Sequence, residues 1–313
     1  MGKFSFAYRS YLRVNNALGR FERTNEKSDF SVTTPPIFIL GAPRSGTTLF
    51  YQSLVLEFDF AYLSNLHCRL FGAPYLAEKI SDYQSKYRRN PTFKSRFGST
   101  KNWFSPSECG EYWYRFFRRS PQFVALTDAE GQKLIDLNTS YYALQNAANK
   151  PVVFKNLLTV LRLEPILEVF PDALFLYVRR DEAENAHSIL AARKALYNDY
   201  SRWFSLEPPS LDQISLLTPE KQAVEQIRAV HSLVKKSLKG KEDQLFELDY
   251  EAFCNDPELI MNNVSSFLSK NEFTHSRNSI IKEPFNKSSK ITIDEELYSK
   301  LVQYIQNNPM KTP

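Results

Sequence analysis

The residues best suited to chemistry sit in one short run, Gly41-Ala-Pro-Arg-Ser-Gly-Thr-Thr48. The chain has only nine glycines, and two of them frame this loop. Backbone conformation therefore matters there. Ile37 to Leu40, just before it, is an apolar run of the length of a buried parallel strand. Thr47-Thr-Leu-Phe-Tyr-Gln-Ser-Leu-Val-Leu56, just after it, reads as a helix with an apolar side. Strand, glycine loop and helix start together form an anion cradle, because free N–H groups and the positive end of the helix dipole converge on one point. The spacing is that of the phosphate loop G-x-x-x-x-G-K-[ST], except that Thr47 stands where the lysine would. A nucleoside triphosphatase needs that lysine on its β- and γ-phosphates. Here the cation is Arg44, inside the loop. The pattern predicts a phosphate ligand and speaks against ATP hydrolysis. The plainer alternative is a strand-to-helix turn carrying a surface arginine.

Other candidates follow the same logic. Pro151-Val-Val-Phe-Lys155 reads as a buried strand ending in a lysine. Leu174-Phe-Leu-Tyr-Val178 is the clearest strand, and it ends at Arg179-Arg180-Asp181. A helix follows over 182–197, with Ser188 some two turns in. Arg44, Lys155 and Arg180 thus each follow a strand, which is where open parallel sheets gather ligand groups. Glu108 has two compatible readings. Ser105-Pro-Ser-Glu108 fits a capping box with Pro106 at the first helical position, and this pattern alone favours the cap. Glu108 could also be displayed at a helix start beside an aromatic wall of Tyr112, Trp113 and Phe116. His67, in Asn65-Leu-His-Cys-Arg, is a further candidate, although a lone histidine is more often structural.

The elements that must position these groups alternate strand and helix. Short strands are expected at 37–40, 60–64, 151–155, 174–178 and 245–249. Helices are expected from Thr47, over 74–87, 125–150, 157–170 and 182–197, through much of 201–242, from Asp256 to Leu268, and over 293–306. This order predicts an α/β fold with a P-loop-like, doubly wound parallel sheet flanked by helices. One domain over 35–313 is expected, preceded by a basic, aromatic helical segment and linker over 1–34. Residues 6–22 (Tyr8, Arg9, Tyr11, Arg13, Arg20, Phe21) fit a helix lying on the domain or, as a peripheral contact, on a membrane surface.

The bulk numbers bound the function. The chain has 313 residues, of which 42% are hydrophobic, enough for a sizeable core. Its net charge of +5 suits an anionic partner, but the basic residues are dispersed, which excludes a nucleic-acid arm. No apolar stretch approaches the ~18 residues of a membrane span. The N-terminus lacks the apolar core of a signal peptide. Cys68, Cys109 and Cys254 are odd in number and far apart, so neither a disulfide framework nor a metal site is expected, and a reducing, cytoplasmic setting is. Trp203 lines a pocket or packs in the core.

Two of these motifs now stand together. Gly41-Ala-Pro-Arg-Ser-Gly-Thr-Thr resembles the 5′-phosphosulfate loop of the sulfotransferases that use 3′-phosphoadenosine 5′-phosphosulfate (PAPS). Tyr177-Val-Arg-Arg180-Asp-Glu-Ala-Glu-Asn-Ala-His-Ser188 is similar to their 3′-phosphate motif, an arginine at a strand end with a serine eight residues later. Asp249-Tyr250-Glu251, with Asp256-Pro257-Glu258, is similar to a C-terminal pattern of the family. The P-R-S-G-T-T form resembles the bacterial and Golgi-type branches. The resemblance implies PAPS as donor, no metal, and a hydroxyl or amine acceptor, a carbohydrate or small metabolite. It implies that Arg44 holds the bridging or 5′-phosphate oxygens, that Ser45, Gly46, Thr47 and Thr48 cradle that phosphate, and that Arg180 and Ser188 clamp the 3′-phosphate. It further implies that Lys155 assists at the sulfonate. Cytosolic members carry a catalytic histidine two residues after the strand-end lysine, whereas here Asn156 and Leu157 follow Lys155. Bacterial relatives share a segment like Pro106-Ser-Glu108-Cys-Gly, which raises Glu108 as the base, with His67 and Glu111 behind it. The rival readings are an ATP-using P-loop kinase or nucleotidase and a catalytically inactive nucleotide-binding protein.

Overall fold

A computed structural model describes residues 6–25, 34–83, 93, 95–96, 98–286 and 291–310. The linker at 26–33, most of the basic connector that begins at Lys86, and the basic stretch 287–290 lie outside them.

Seven strands are described: β1 (Ile37–Gly41), β2 (Ala61–Tyr62), β3 (Ser95–Arg96), β4 (Ser99–Thr100), β5 (Val152–Lys155), β6 (Leu174–Arg179) and β7 (Leu245–Asp249). Five of them form one parallel sheet in the order β2-β5-β1-β6-β7. β3 and β4 pair as a separate antiparallel hairpin, which sequence reading missed inside the connector. The helices in chain order are α1 (Phe6–Asn25), α2 (Thr47–Glu57), α3 (Asn65–Arg69), α4 (Pro74–Tyr83), α5 (Gly110–Trp113), α6 (Gly131–Ala148), α7 (Leu163–Val169), α8 (Glu182–Tyr197), α9 (Leu211–Ile214), α10 (Pro219–Ser237), α11 (Tyr250–Asn255), α12 (Pro257–Lys270) and α13 (Glu295–Asn307).

β1 is apolar throughout because both of its faces are covered. Its side chains alternate between two cores. Ile37 and Ile39 meet Phe50 and Leu54 of α2, together with Phe253, Met261, Val264 and Leu268 of α11 and α12. Phe38 and Leu40 face the other layer, built from α6, α8 and α10 through Leu144, Ile189, Leu190 and Ile227. Phe38 stacks on Phe154 and Phe175 of the neighbouring strands. Each such buried side chain contributes about 1.5–3 kcal/mol. The fold is thus the doubly wound α/β sheet that the strand–helix alternation predicts.

Two helices differ from expectation. The stretch expected to be helical over 157–170 starts as a 3₁₀ turn, Leu157–Arg162, because Asn156 accepts the Leu158 N–H at 2.9 Å and tightens the entry. α6 starts only at Gly131, after a separate 3₁₀ turn at Leu126–Asp128. α1 rests on the body of the protein. Asn15 is buried, accepts the Gly72 N–H at 3.0 Å and donates to Arg69 O at 3.1 Å. Gly19 lies so close to Gly72 that a Cβ there would stand 2.6 Å from its carbonyl oxygen. Arg9, Arg13, Val14 and Arg20 face outward. Among the described residues no helix is long and apolar enough to cross a membrane.

Candidate active site

Register brings the candidate groups to one rim. Ile39 pairs with Lys155, Gly41 with Val178, and Arg179 with Asp249, so β1, β5, β6 and β7 end side by side. A cavity of about 570 Å³ opens above these ends. Its wall includes Arg44, Thr47, Thr48, Glu108, Lys155 and Arg180.

The loop has the shape its glycines suggested. Gly46 has φ +92°, and a Cβ there would sit 2.2 Å from Cδ2 of Tyr250. A Cβ on Gly41 would meet Ser45 Oγ and Thr47 Cγ2 at 2.5 Å. Gly46 caps α2, and no side chain caps its first turn. The orphan N–H groups of that turn are available to an anion. Ser45 Oγ is buried without a hydrogen-bond partner among the described residues. Asn185 holds the loop from α8, donating to Pro43 O at 2.7 Å.

Two cationic centres flank the loop. On one side Lys155 is almost wholly buried, donates to Thr48 Oγ1 at 3.3 Å, and forms an ion pair with Glu108. Leu157 N donates to the other Glu108 oxygen at 3.4 Å. On the other side Arg44 Nε donates to Ser188 Oγ at 3.2 Å, and Arg180 Nη1 donates to the Arg44 carbonyl at 3.1 Å. Burial first, and then the neighbouring Arg180, hold the Arg44 guanidinium below its usual range. Two cations brought together out of water form a site that an anion would stabilise. Arg44 thus reaches toward Ser188, while Lys155 stands over the start of α2.

The capping box at Ser105–Glu108 does not form. That segment runs along the end of β2, with Pro106 bridging Ser64 and Ser107 N donating to Leu63 O at 2.8 Å. Its backbone groups are thereby engaged outside any helix, and α5 begins only at Gly110. Glu108 is left free to turn toward Lys155. Gly98, at φ +87° in the β3–β4 turn, lies over it, where a Cβ would stand 3.2 Å from Glu108 Oε1.

His67 is not at the cavity. It is wholly buried, accepts the Ser64 N–H at 3.2 Å, and sets Nε2 3.2 Å from a wholly buried Glu78 oxygen. Glu111 is bound by Tyr8 and Arg119 away from the cavity wall. Tyr112, Trp113 and Phe116 are core residues, not an aromatic wall. Trp203 packs with its indole N–H on Leu206 O at 2.9 Å, under Arg193.

Sequence reading missed three supports. Tyr250 closes against Gly46 and carries the Arg180 guanidinium 5.1 Å above its ring. Glu251 sets one oxygen 3.7 Å from Arg180 Nε and accepts the Asp181 N–H at 3.2 Å with the other. The β3–β4 hairpin supplies Ser95 and Ser99 to the cavity wall. The pattern Asp249-Tyr250-Glu251 was the available signal for the first two. Among the described residues no group of three His, Cys, Asp or Glu side chains could hold a metal ion.

A model of the sulfotransferase family matches residues 35–273. Omega-hydroxy-beta-dihydromenaquinone-9 sulfotransferase Stf3 of Mycobacterium bovis and of Mycobacterium tuberculosis are each 26% identical over 278 residues, covering 82% of this chain and 69% of theirs. The crystal structure of sulfotransferase STF9 from Mycobacterium avium has the same fold, with a TM-score of 0.53 over 98% of this chain and 79% of that one, at 17% identity.

Proposed function

The chain belongs to the sulfotransferase family, and we propose that it moves a sulfuryl group from PAPS to a hydroxyl group of a small metabolite. One observation carries the choice of donor. Two cationic clusters stand at the cavity rim, Lys155 at the uncapped start of α2, and Arg44 with Arg180, Arg44 donating to Ser188. A nucleotide with phosphates at both 3′ and 5′ fills both, whereas ATP or ADP leaves the second empty. A hydroxyl acceptor agrees with the name of the mycobacterial relatives.

In this reading the amides of Gly46, Thr47 and Thr48 receive the 5′-phosphate. Lys155 neutralises charge on the transferring sulfonate and the leaving phosphate. Arg180 and Ser188 hold the 3′-phosphate, and Arg44, expected on the 5′-phosphate oxygens, joins them because it reaches Ser188; Tyr250 and Glu251 keep Arg180 in place. The acceptor oxygen bonds to sulfur as the bond from sulfur to the bridging oxygen breaks, in line. Glu108 takes the acceptor proton. Its pairing with Lys155 sets that carboxylate beside the cation that meets the sulfonate. Calorimetric titration of 3′-phosphoadenosine 5′-phosphate against ADP tests the donor. A preference of ~100-fold or more for the bisphosphate is expected, from about two charge-assisted contacts. Equal affinities would overturn the reading.

A further inference from the structure

Two thiols stand on the wall of the same cavity, and the transfer chemistry uses neither. Cys68 belongs to α3, and Cys109 is the residue that leads into α5. Both line the cavity beside Glu108. The two helices pack on each other, and the two thiols are close enough for each to shift the other's titration. Cys68 Sγ also donates to Ser107 Oγ at 3.1 Å. Cys68 is partly exposed, while Cys109 is 3% exposed. The third cysteine, Cys254, is buried in α11 beside Tyr250.

We propose that Cys68 and Cys109 form a modification site, which a peroxide converts to a disulfide that stops transfer by displacing Glu108. In the first step the Cys68 thiolate attacks one peroxide oxygen. The O–O bond breaks, hydroxide leaves and becomes water, and Cys68 becomes a sulfenic acid. In the second step the Cys109 sulfur attacks the sulfenic sulfur. The S–O bond breaks, and the hydroxide takes the Cys109 proton and leaves as water. Two thiols are oxidised by two electrons, and one peroxide is reduced to two waters.

The roles are unequal for a physical reason. The Cys109 thiol, followed by the Ser107 hydroxyl against an opposing effect of burial, holds the Cys68 thiol below its usual range. Burial pushes the Cys109 thiol well above its own. Cys68, the more exposed of the two, is therefore the attacking sulfur and Cys109 the resolving partner. Closing the gap between the sulfurs to a bond of about 2.05 Å must move one of them. Cys109 already sits in the left-handed region at φ +46°. Glu108 precedes it directly and is held by Lys155 on its carboxylate and by Asn156 on its carbonyl, at 3.0 Å. A displacement of about 1 Å at a reacting group costs on the order of 10²-fold in rate. The loss of turnover rests on Glu108 as base; the disulfide does not.

The test uses the native chain. After hydrogen peroxide treatment and digestion without reductant, mass spectrometry should find the Cys68 and Cys109 peptides joined, lighter by two hydrogens, with Cys254 still a thiol. Turnover should fall about tenfold or more and return with dithiothreitol, while affinity for 3′-phosphoadenosine 5′-phosphate changes less than about threefold. The residual activity of a Cys68→Ser variant should then resist peroxide. Absence of the joined peptide, or a joined peptide with unchanged turnover, would overturn the proposal. So would peroxide inactivation that persists in Cys68→Ser. A disulfide that forms and blocks turnover while Glu108→Gln transfers normally would instead sink the base assignment and leave the modification site standing.

Discussion

Glu108→Gln is expected to lower the transfer rate by ~10²-fold or more, the usual share of a positioned general base. That loss corresponds to about 2.7 kcal/mol of transition-state stabilisation. The substitution keeps the side-chain shape and removes one charge. Lys155, whose side chain is 2% exposed, then keeps Thr48 Oγ1 and an amide oxygen in place of its carboxylate. Breaking a fully buried pair costs about 3–5 kcal/mol, but the Glu108 side chain is 30% exposed and the amide still accepts, so about 1–2 kcal/mol of stability is a fair figure. For a chain of this size that lowers Tm by only a few degrees, on the order of 2 °C per kcal/mol. The folded fraction at assay temperature is unchanged, so any rate loss is chemical. The assay is single-turnover transfer at saturating labelled donor, with calorimetry of 3′-phosphoadenosine 5′-phosphate alongside. Nucleotide affinity should stay within about threefold, because of the groups assigned to the phosphates Glu108 touches only Lys155, which keeps its charge and its Thr48 contact. Glu111→Gln, which loosens only Tyr8 and Arg119, is the matched control and should transfer within about twofold of the parent. A Glu108→Gln rate within about threefold of the parent refutes the role, and leaves Glu108 as a structural partner of Lys155.

Ser188→Ala should weaken 3′-phosphoadenosine 5′-phosphate binding about tenfold while leaving ADP affinity unchanged, read by calorimetry with both nucleotides. An equal loss for the two would show that Ser188 does not serve the 3′-phosphate. Gly46→Ala places a Cβ at φ +92° against the Tyr250 ring, so a stability loss of about 1–3 kcal/mol is expected in denaturant unfolding. Wild-type stability there would mean that the loop and Tyr250 part readily. Burial pushes His231, which pairs with the Tyr177 hydroxyl, down to about 4. The unfolded chain therefore binds this proton first. Stability is full above about pH 6.5 and falls by up to about 3 kcal/mol as the pH drops toward 4. His231→Gln should flatten that slope in unfolding curves taken across the window, and an unchanged slope would assign the acid sensitivity to other groups.

The central sheet was legible because its signals are local. A run as short as Ile37–Leu40 between turn residues can only be a strand covered on both sides, and the eight-residue step from Arg180 to Ser188 is fixed by the pitch of α8. The bend of the loop at Gly41–Thr48 was legible for the same reason, since it needs nothing beyond one turn and one helix start. What could not be read was which backbone the next segment would choose. Ser105–Glu108 carries a good capping pattern, yet Leu63 and Ser64 compete for its backbone groups from across the fold and win. That contest sends Glu108 to Lys155, leaves Glu111 to α1, and carries Tyr112 and Trp113 into the core. It also brings Cys109 to Cys68. Tyr250 against Gly46 and Glu251 beside Arg180 depend likewise on β7 lying next to β6. The amino-acid sequence by itself determined the fold class and the glycine loop between β1 and α2, whose physics closes over a few neighbouring residues. Only the tertiary structure decided which carboxylate faces the cations, because that choice is made by hydrogen bonds between segments far apart in the chain.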